Sequence, residues 1–154
     1  MEQINVQKKF IAQNLKLNLK VLGISNSKKM VISDSEIDLN NWSKVLDKSK
    51  LKANFNDFQN KILELNLRNS LFVDNTASEV IPSTYSKYLK NGVGIVTCNK
   101  IANSVDYSNY ELLKSLSRNN NSPFFYETNV GAALPVISTL NNLCLLYTSD
   151  AADE

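Results

Sequence analysis

Histidine is absent from the 154 residues. Catalysis by Ser-His-Asp or Cys-His arrangements is therefore excluded, and so are histidine-ligated metals. Any proton chemistry must fall to Lys, Asp, Glu or Tyr. Cysteine is scarce: Cys98 and Cys144 make no metal-binding pattern and read as buried thiols in a reducing compartment. Glycine is scarce too. Gly23, Gly92, Gly94 and Gly131 do not make the G-x-G-x-x-G spacing of a complete dinucleotide turn. No apolar run approaches the ~20 residues of a membrane span, and Met1 to Lys9 is too polar for a secretory signal. The formal charge of +2 is spread along the chain, which gives no electrostatic case for nucleic acid or an anionic membrane. What is present is ordinary for a globular domain: 43% apolar and 21% charged residues, enough for one real core.

Periodicity organises the chain as α-β-α-α-β-α-β-α-β-α. Helices are expected over 1–14, from Asn40 or Asn41 to Lys48, over 55–65, from the Ser78 cap to Lys90, over 106–117 and over 132–143. Strands are expected at 17–24, 70–74, 93–98 and 124–127, with residues 30–40 a polar loop. The first helix has no cap before it, so the chain is expected to begin inside a helix. Apolar strands alternating with amphipathic helices predict a parallel sheet with helices on both faces. Right-handed crossovers then bring the strand C-termini to one edge, where open α/β sheets bind ligands. Ser25-Asn26-Ser27, Asp74-Asn75-Thr76, Asn99-Lys100 and Glu127-Thr128 all fall on that edge.

Each of these groups has two readings. Lys100 directly follows a buried strand and could hold a phosphate or carry a proton, or it could be a solvated lysine opening a loop. Asp74-Asn75-Thr76 could touch a ligand or satisfy its own turn. Glu127 could bind a cation with backbone carbonyls as partners, or cap the following helix. Ser25 to Lys29 lacks the acid that binds an NAD ribose; its hydroxyls and two lysines favour NADP, unless the lysines are simply solvated.

Five segments carry a resemblance. They are Leu22-Gly-Ile-Ser-Asn-Ser27, Asp38-Leu-Asn-Asn-Trp42, Val73-Asp-Asn-Thr-Ala-Ser78, Gly94-Ile-Val-Thr-Cys-Asn-Lys100-Ile-Ala-Asn103 and Tyr126-Glu-Thr-Asn-Val-Gly-Ala-Ala-Leu-Pro135. Over roughly residues 1–143 the chain resembles homoserine dehydrogenase, and its Asn-Trp segment is similar to the bifunctional aspartokinase–homoserine dehydrogenases.

The resemblance implies a Rossmann-like, doubly wound α/β fold missing its first strand and glycine turn. It implies NAD(P)-dependent interconversion of L-aspartate 4-semialdehyde and L-homoserine, on the route to threonine and methionine. Asn26 and Ser27 would lie near the adenosine ribose, and Thr76 and Ala77 would line the dinucleotide crevice. Lys100 would be the lysine near nicotinamide and substrate. Glu127, with the carbonyls of Val130, Ala132 and Leu134, would hold a monovalent cation, usually sodium. Ala133 departs from the family pattern, where many relatives have Gly.

The expected boundaries are a partial NAD(P)-binding domain at 1–143 and a non-native or disordered tail at 144–154, the alternative being a natural divergent tail. The fragment is expected to be inactive alone, cytoplasmic, and homo-oligomeric when intact, with no nucleic-acid or membrane partner. Outside this family the alternative is a non-catalytic nucleotide-binding or receiver-like module.

Overall fold

A computed structural model describes residues 1–130 and 134–150, and the chain divides into two compact units, Met1–Asn66 and Leu67–Glu154.

In the first unit, helix α1 (Glu2–Leu15) stops where Lys16 turns left-handed at φ 55°. Strand β1 (Gly23–Ser25) then meets a reversal built by one side chain. The Asn26 Oδ1 accepts the N–H groups of Lys28 and Lys29 at 2.8 and 2.7 Å, and the Asn26 N–H donates to the Lys29 carbonyl at 2.9 Å. An asparagine that bonds the backbone two and three residues ahead folds the chain back on itself. Strand β2 (Met30–Ile32) therefore returns antiparallel to β1, with Ser25 opposite Met30 and Gly23 opposite Ile32.

Two expectations are corrected here: residues 30–32 are strand, not loop, and β1 pairs with β2 in a separate two-stranded sheet. The local asparagine turn wins over the crossover that the alternating pattern suggested. Helices α2 (Trp42–Lys48) and α3 (Phe55–Glu64) follow. Asn54 caps α3 by accepting the N–H groups of Asn56 and Asp57 at 3.0 and 3.1 Å. The α3 ring of Phe58 packs so closely on Gly23 that an added Cβ would lie 2.8 Å from it. Glycine is needed there for close approach. Met30, Ile37, Leu39, Leu46 and Phe58 form this unit's core.

The second unit is a parallel sheet in the order β3 (Leu71–Asp74), β4 (Gly94–Thr97), β5 (Phe124–Phe125). Between β3 and β4 the chain passes through a single 3₁₀ turn, Ile81–Thr84, and helix α4 (Tyr85–Lys90). The Ser78 hydroxyl accepts the N–H groups of Val80 and Ile81 at the start of that turn. Gly92 supplies the left-handed stop at φ 73°, as expected from Asn91-Gly92.

Between β4 and β5 lie α5 (Ile101–Ser104), a short helix that the periodicity did not predict, and α6 (Tyr107–Asn119). Tyr85, Tyr88, Leu89, Ile95, Leu113 and Phe124 are buried where α4 and α6 pack on the sheet. Phe72 stacks on Tyr88 with ring centroids 4.4 Å apart. The opposite face presents Leu71, Val73 and Phe125, each about half exposed.

Beyond β5 the chain does not stay extended. Glu127–Asn129 form a 3₁₀ turn, and α7 spans Val136–Asp150. The last helix starts directly after Pro135, which has no N–H to give it.

Candidate functional site at the strand ends

The register aligns Asp74 of β3 with Thr97 of β4, so both strands end side by side on one edge of the parallel sheet. Three segments cross this edge: residues 75–78, residues 98–100 and the turn Glu127–Asn129.

Asp74 lies beneath them, 1% exposed. Its Oδ1 accepts the Thr76 N–H at 2.8 Å. Its Oδ2 accepts the Tyr85 hydroxyl at 2.6 Å and the Asn99 Nδ2 at 3.2 Å. Burial, and then the hydrogen bond to Asp74, push the Tyr85 hydroxyl far above the ordinary tyrosine range, so it remains a donor. The Thr97 hydroxyl pairs with Tyr85 at 2.8 Å and accepts the Asn99 N–H at 2.9 Å. Of the two readings of Asp74-Asn75-Thr76, the structure gives the self-satisfied turn to Asp74 and leaves Thr76 and Ala77 exposed on the edge.

Lys100 is exposed and sits at the N-terminus of α5, immediately after buried Asn99. Among the described residues its ammonium forms no ion pair, the one such bridge being Lys8–Glu36 in the first unit. Asn103, one turn along from Lys100, has buried amide atoms without a hydrogen-bond partner among the described residues. So does the Asn129 Oδ1, although the Asn129 Nδ2 donates to the Asn99 carbonyl at 3.2 Å. Thr128 donates to the Thr97 carbonyl at 3.3 Å, which ties the third segment to the same edge.

Glu127 is half-buried and caps α7. Its Oε1 accepts the Ile137 N–H at 2.8 Å, and both its oxygens accept the Ser138 N–H, at 3.2 and 3.0 Å. A carboxylate at a helix N-terminus meets unpaired N–H groups and the positive end of the helix dipole. The Leu134 carbonyl accepts the Val136 N–H at 2.9 Å. Val130 is exposed, and Ala132 lies outside the described residues. Two of the four expected cation ligands thus have other partners. In this conformation the first N–H groups of α7 already occupy the Glu127 carboxylate. No group of three or more Cys, Asp or Glu side chains able to hold a metal occurs among the described residues.

Asn26 and Ser27 are exposed at the β1–β2 hairpin tip of the first unit. Asn26 builds the turn. The Lys29 ammonium donates to the Asp47 carbonyl, which leaves Ser27 and exposed Lys28 as the polar groups of the tip. The two cysteines are exposed, contrary to expectation: Cys98 follows the last β4 residue, where the strand leaves the core, and its thiol donates to the Asp74 carbonyl at 3.6 Å.

Residue patterns missed Tyr85 altogether, and named Asn99 only as a neighbour of Lys100. A buried hydroxyl on an amphipathic helix has the same spacing as any core aromatic, so periodicity could not separate it. A cavity of about 310 Å³ in the first unit, walled by the Lys8–Glu36 pair with Asn5, Asp38 and Asn40, was equally invisible. Its Lys8 and Glu36 are paired with each other, and its Asp38 carboxyl accepts from Asn40 and Asn41.

Known proteins agree with this architecture. The family described as "Homoserine dehydrogenase, NAD binding domain" matches residues 4–127. Chloroplastic bifunctional aspartokinase/homoserine dehydrogenase 2 of Arabidopsis thaliana is 38% identical over 151 residues, 97% of this chain and 16% of its own length. The bifunctional enzyme of Buchnera aphidicola is 37% identical over 143 residues, 93% of this chain and 17% of its own. The chain thus spans about one sixth of these relatives.

Among solved structures, a Candida auris protein of unknown function superposes with a TM-score of 0.74 at 29% identity, covering 92% of this chain and 41% of that one. A hyperthermophilic archaeal homoserine dehydrogenase in complex with NADPH superposes at 0.60 and 23% identity, covering 86% and 43%, which bears on the fold alone. Nothing in these likenesses favours a receiver-like module. The match over residues 4–127 shows that the chain belongs to the homoserine dehydrogenase family, through its NAD-binding domain.

Proposed function

We propose that this chain serves NAD(P)-linked interconversion of L-aspartate 4-semialdehyde and L-homoserine, with the edge of the β3-β4-β5 sheet receiving nicotinamide. The single observation that carries this reading is Lys100, which follows locked Asn99 just beyond β4 and whose ammonium has no ion-pair partner among the described residues. The bound nicotinamide would accept or supply the hydride. Thr76 and Ala77 would border it with an exposed hydroxyl and a small side chain. The Lys100 Nζ would hold the substrate oxygen and supply positive charge where negative charge develops. Proton transfer at that oxygen would also fall to Lys100, since no histidine is present.

At the adenosine end, Asn26 would shape the turn. Ser27 and Lys28 would meet the ribose, and an ammonium without a competing acid supports NADP over NAD. A sodium-class ion at Glu127, Val130, Ala132 and Leu134 would compete with the α7 N–H groups for the carboxylate.

We place the domain at residues 1–143, with 144–154 outside it. The reducing compartment is taken as the cytoplasm, and the working enzyme as a homo-oligomer. The test is NADPH and NADP binding by the 154-residue chain and by a chain ending at residue 143, followed by turnover with homoserine. Equal binding by both chains is expected, with turnover only when the remaining segments of a homoserine dehydrogenase are joined on. Hydride transfer needs both reactants held in contact, and such positioning supplies ~7–11 kcal/mol of the barrier. Absence of NADP(H) binding by either chain would overturn the proposal.

A further inference from the structure

We propose that Tyr85, Thr97 and Asn99 are positioning residues that act through Asp74 to hold two cofactor-facing segments in their binding conformation, an inference that rests on the nucleotide-binding role proposed above. All four are buried, at 0–2% exposure. A buried polar cluster is costly unless every group is paired, and well-packed apolar side chains would stabilise the same space at least as well. Simple packing therefore does not account for it.

The cluster's bonds end where a positioning role requires. Asp74 fixes the Thr76 N–H on the segment after β3. Asn99 gives its amide N–H groups to the Asp74 carboxyl and, at 2.9 Å, to the Ser78 carbonyl. Its Oδ1 takes the Ile101 N–H at 3.1 Å, directly after Lys100. With donors and acceptor all committed, the orientation of the Asn99 amide is set by the network. The backbone on both sides of Thr76 and Lys100 is thus tied to one carboxyl group. Tyr85 supports that carboxyl from α4, and Thr97 bridges Tyr85 to the Asn99 N–H. None of the three has to touch the ligand. Their effect is to hold neighbours that do, and losses at such supporting groups typically weaken binding 10–100-fold at metal sites.

The experiment uses the 154-residue chain and the nearly isosteric variants Tyr85→Phe and Thr97→Val, with Thr97→Ser as the conservative control. Far-UV circular dichroism checks the fold. NADPH affinity is read by nicotinamide fluorescence, and hydrogen exchange of the Thr76 and Ile101 amides by NMR without ligand. Tyr85→Phe and Thr97→Val should each raise the NADPH Kd about tenfold and speed exchange at those amides. Thr97→Ser should keep both near wild type. Unchanged affinity in either folded variant, or a Thr97→Ser protein as impaired as Thr97→Val, would overturn the inference while leaving the nucleotide-binding role standing. Should wild type itself bind no NADPH, that role falls and the inference falls with it.

Discussion

Helices α1 and α4 make opposite use of their residues. Helix α1 has 14 residues and buries none of them: Val6 is 76% exposed and Phe10 57%. Helix α4 has six residues and buries three: Tyr85, Tyr88 and Leu89. The longer helix owes its geometry to local bonds, such as the Asn14 amide on the Phe10 carbonyl, and to surface links from Asn5 to Asn40 and from Lys8 to Glu36. The shorter one is below the length at which an isolated helix persists, and tertiary packing holds it. Helix length is therefore a poor guide to where this molecule's stability and chemistry reside. The α4 side chains support the strand ends, whereas no α1 side chain is buried.

Truncation should separate the two most sharply. Leu89→Ala opens a cavity in a fully buried site and should cost ~2–5 kcal/mol of unfolding free energy, whereas Phe10→Ala should stay within ~0.5 kcal/mol. Urea unfolding of both variants measures this. Comparable losses would mean that α1 is packed in solution and that the contrast is false.

A second contrast lies within the strand-end site, between its buried and exposed members. Lys100→Ala should lower kcat/KM at least ~10²-fold in an enzyme competent for turnover, a typical loss for a positioned charge or proton carrier. Its melting temperature should barely move, since the ammonium has no partner among the described residues. Lys100→Arg should not restore full activity, because guanidinium is larger and stays protonated. Near-normal turnover in Lys100→Ala would remove the residue from the mechanism.

Glu127 should fall between these extremes. Removing its carboxylate with Glu127→Ala strips the cap from Ile137 and Ser138 and should cost ~1 kcal/mol, the usual size of a helix N-terminal cap. Sodium exchanged for potassium at constant ionic strength should then leave the wild-type melting temperature unchanged. A rise specific to sodium, lost in Glu127→Ala, would return Glu127 to the role of cation ligand.

These contrasts also show what the sequence made legible. The parallel units were readable because Leu71 to Asp74 and Gly94 to Thr97 are short apolar runs followed by polar ends, and each is separated from the next strand by a helical spacing. Lys100 was readable for the same reason, since chain position alone places it after a strand. The β1–β2 hairpin was not, because the Asn26 turn depends on one side chain bonding two N–H groups rather than on a glycine signal. The role of Glu127 needed coordinates as well. The sequence left two readings of Glu127 open, cation ligand or cap of the next helix, and the hydrogen bonds from Ile137 and Ser138 show the cap. The Asp74 cluster joins residues 11 and 25 positions apart in the chain, and no local pattern encodes such a meeting.

The smallest expected effect belongs to the first unit, at Asp38. Its carboxyl accepts the Asn41 side chain at 2.7 Å and the Asn40 N–H at 2.9 Å. These bonds, the Asn41 one foremost, hold it below the usual aspartate value of 3.8 despite a small opposing effect of desolvation. A folded-state value below the unfolded one stabilises the protein when the group is ionised. That contribution is fully present above about pH 5, well over the unfolded value, and it fades as pH falls through the lower folded value. The carboxyl is solvent-exposed, so the effect is modest and screened by salt. Melting temperatures measured from pH 6 down to pH 3 should therefore fall slightly more steeply for wild type than for Asp38→Asn, which has no proton to take up. The difference should shrink at high salt, and Leu89→Ala should show the wild-type pH slope on a lower baseline. Identical slopes for wild type and Asp38→Asn would mean that the Asp38–Asn41 loop opens in solution, leaving the first unit with even less to fix it than α1 already suggests.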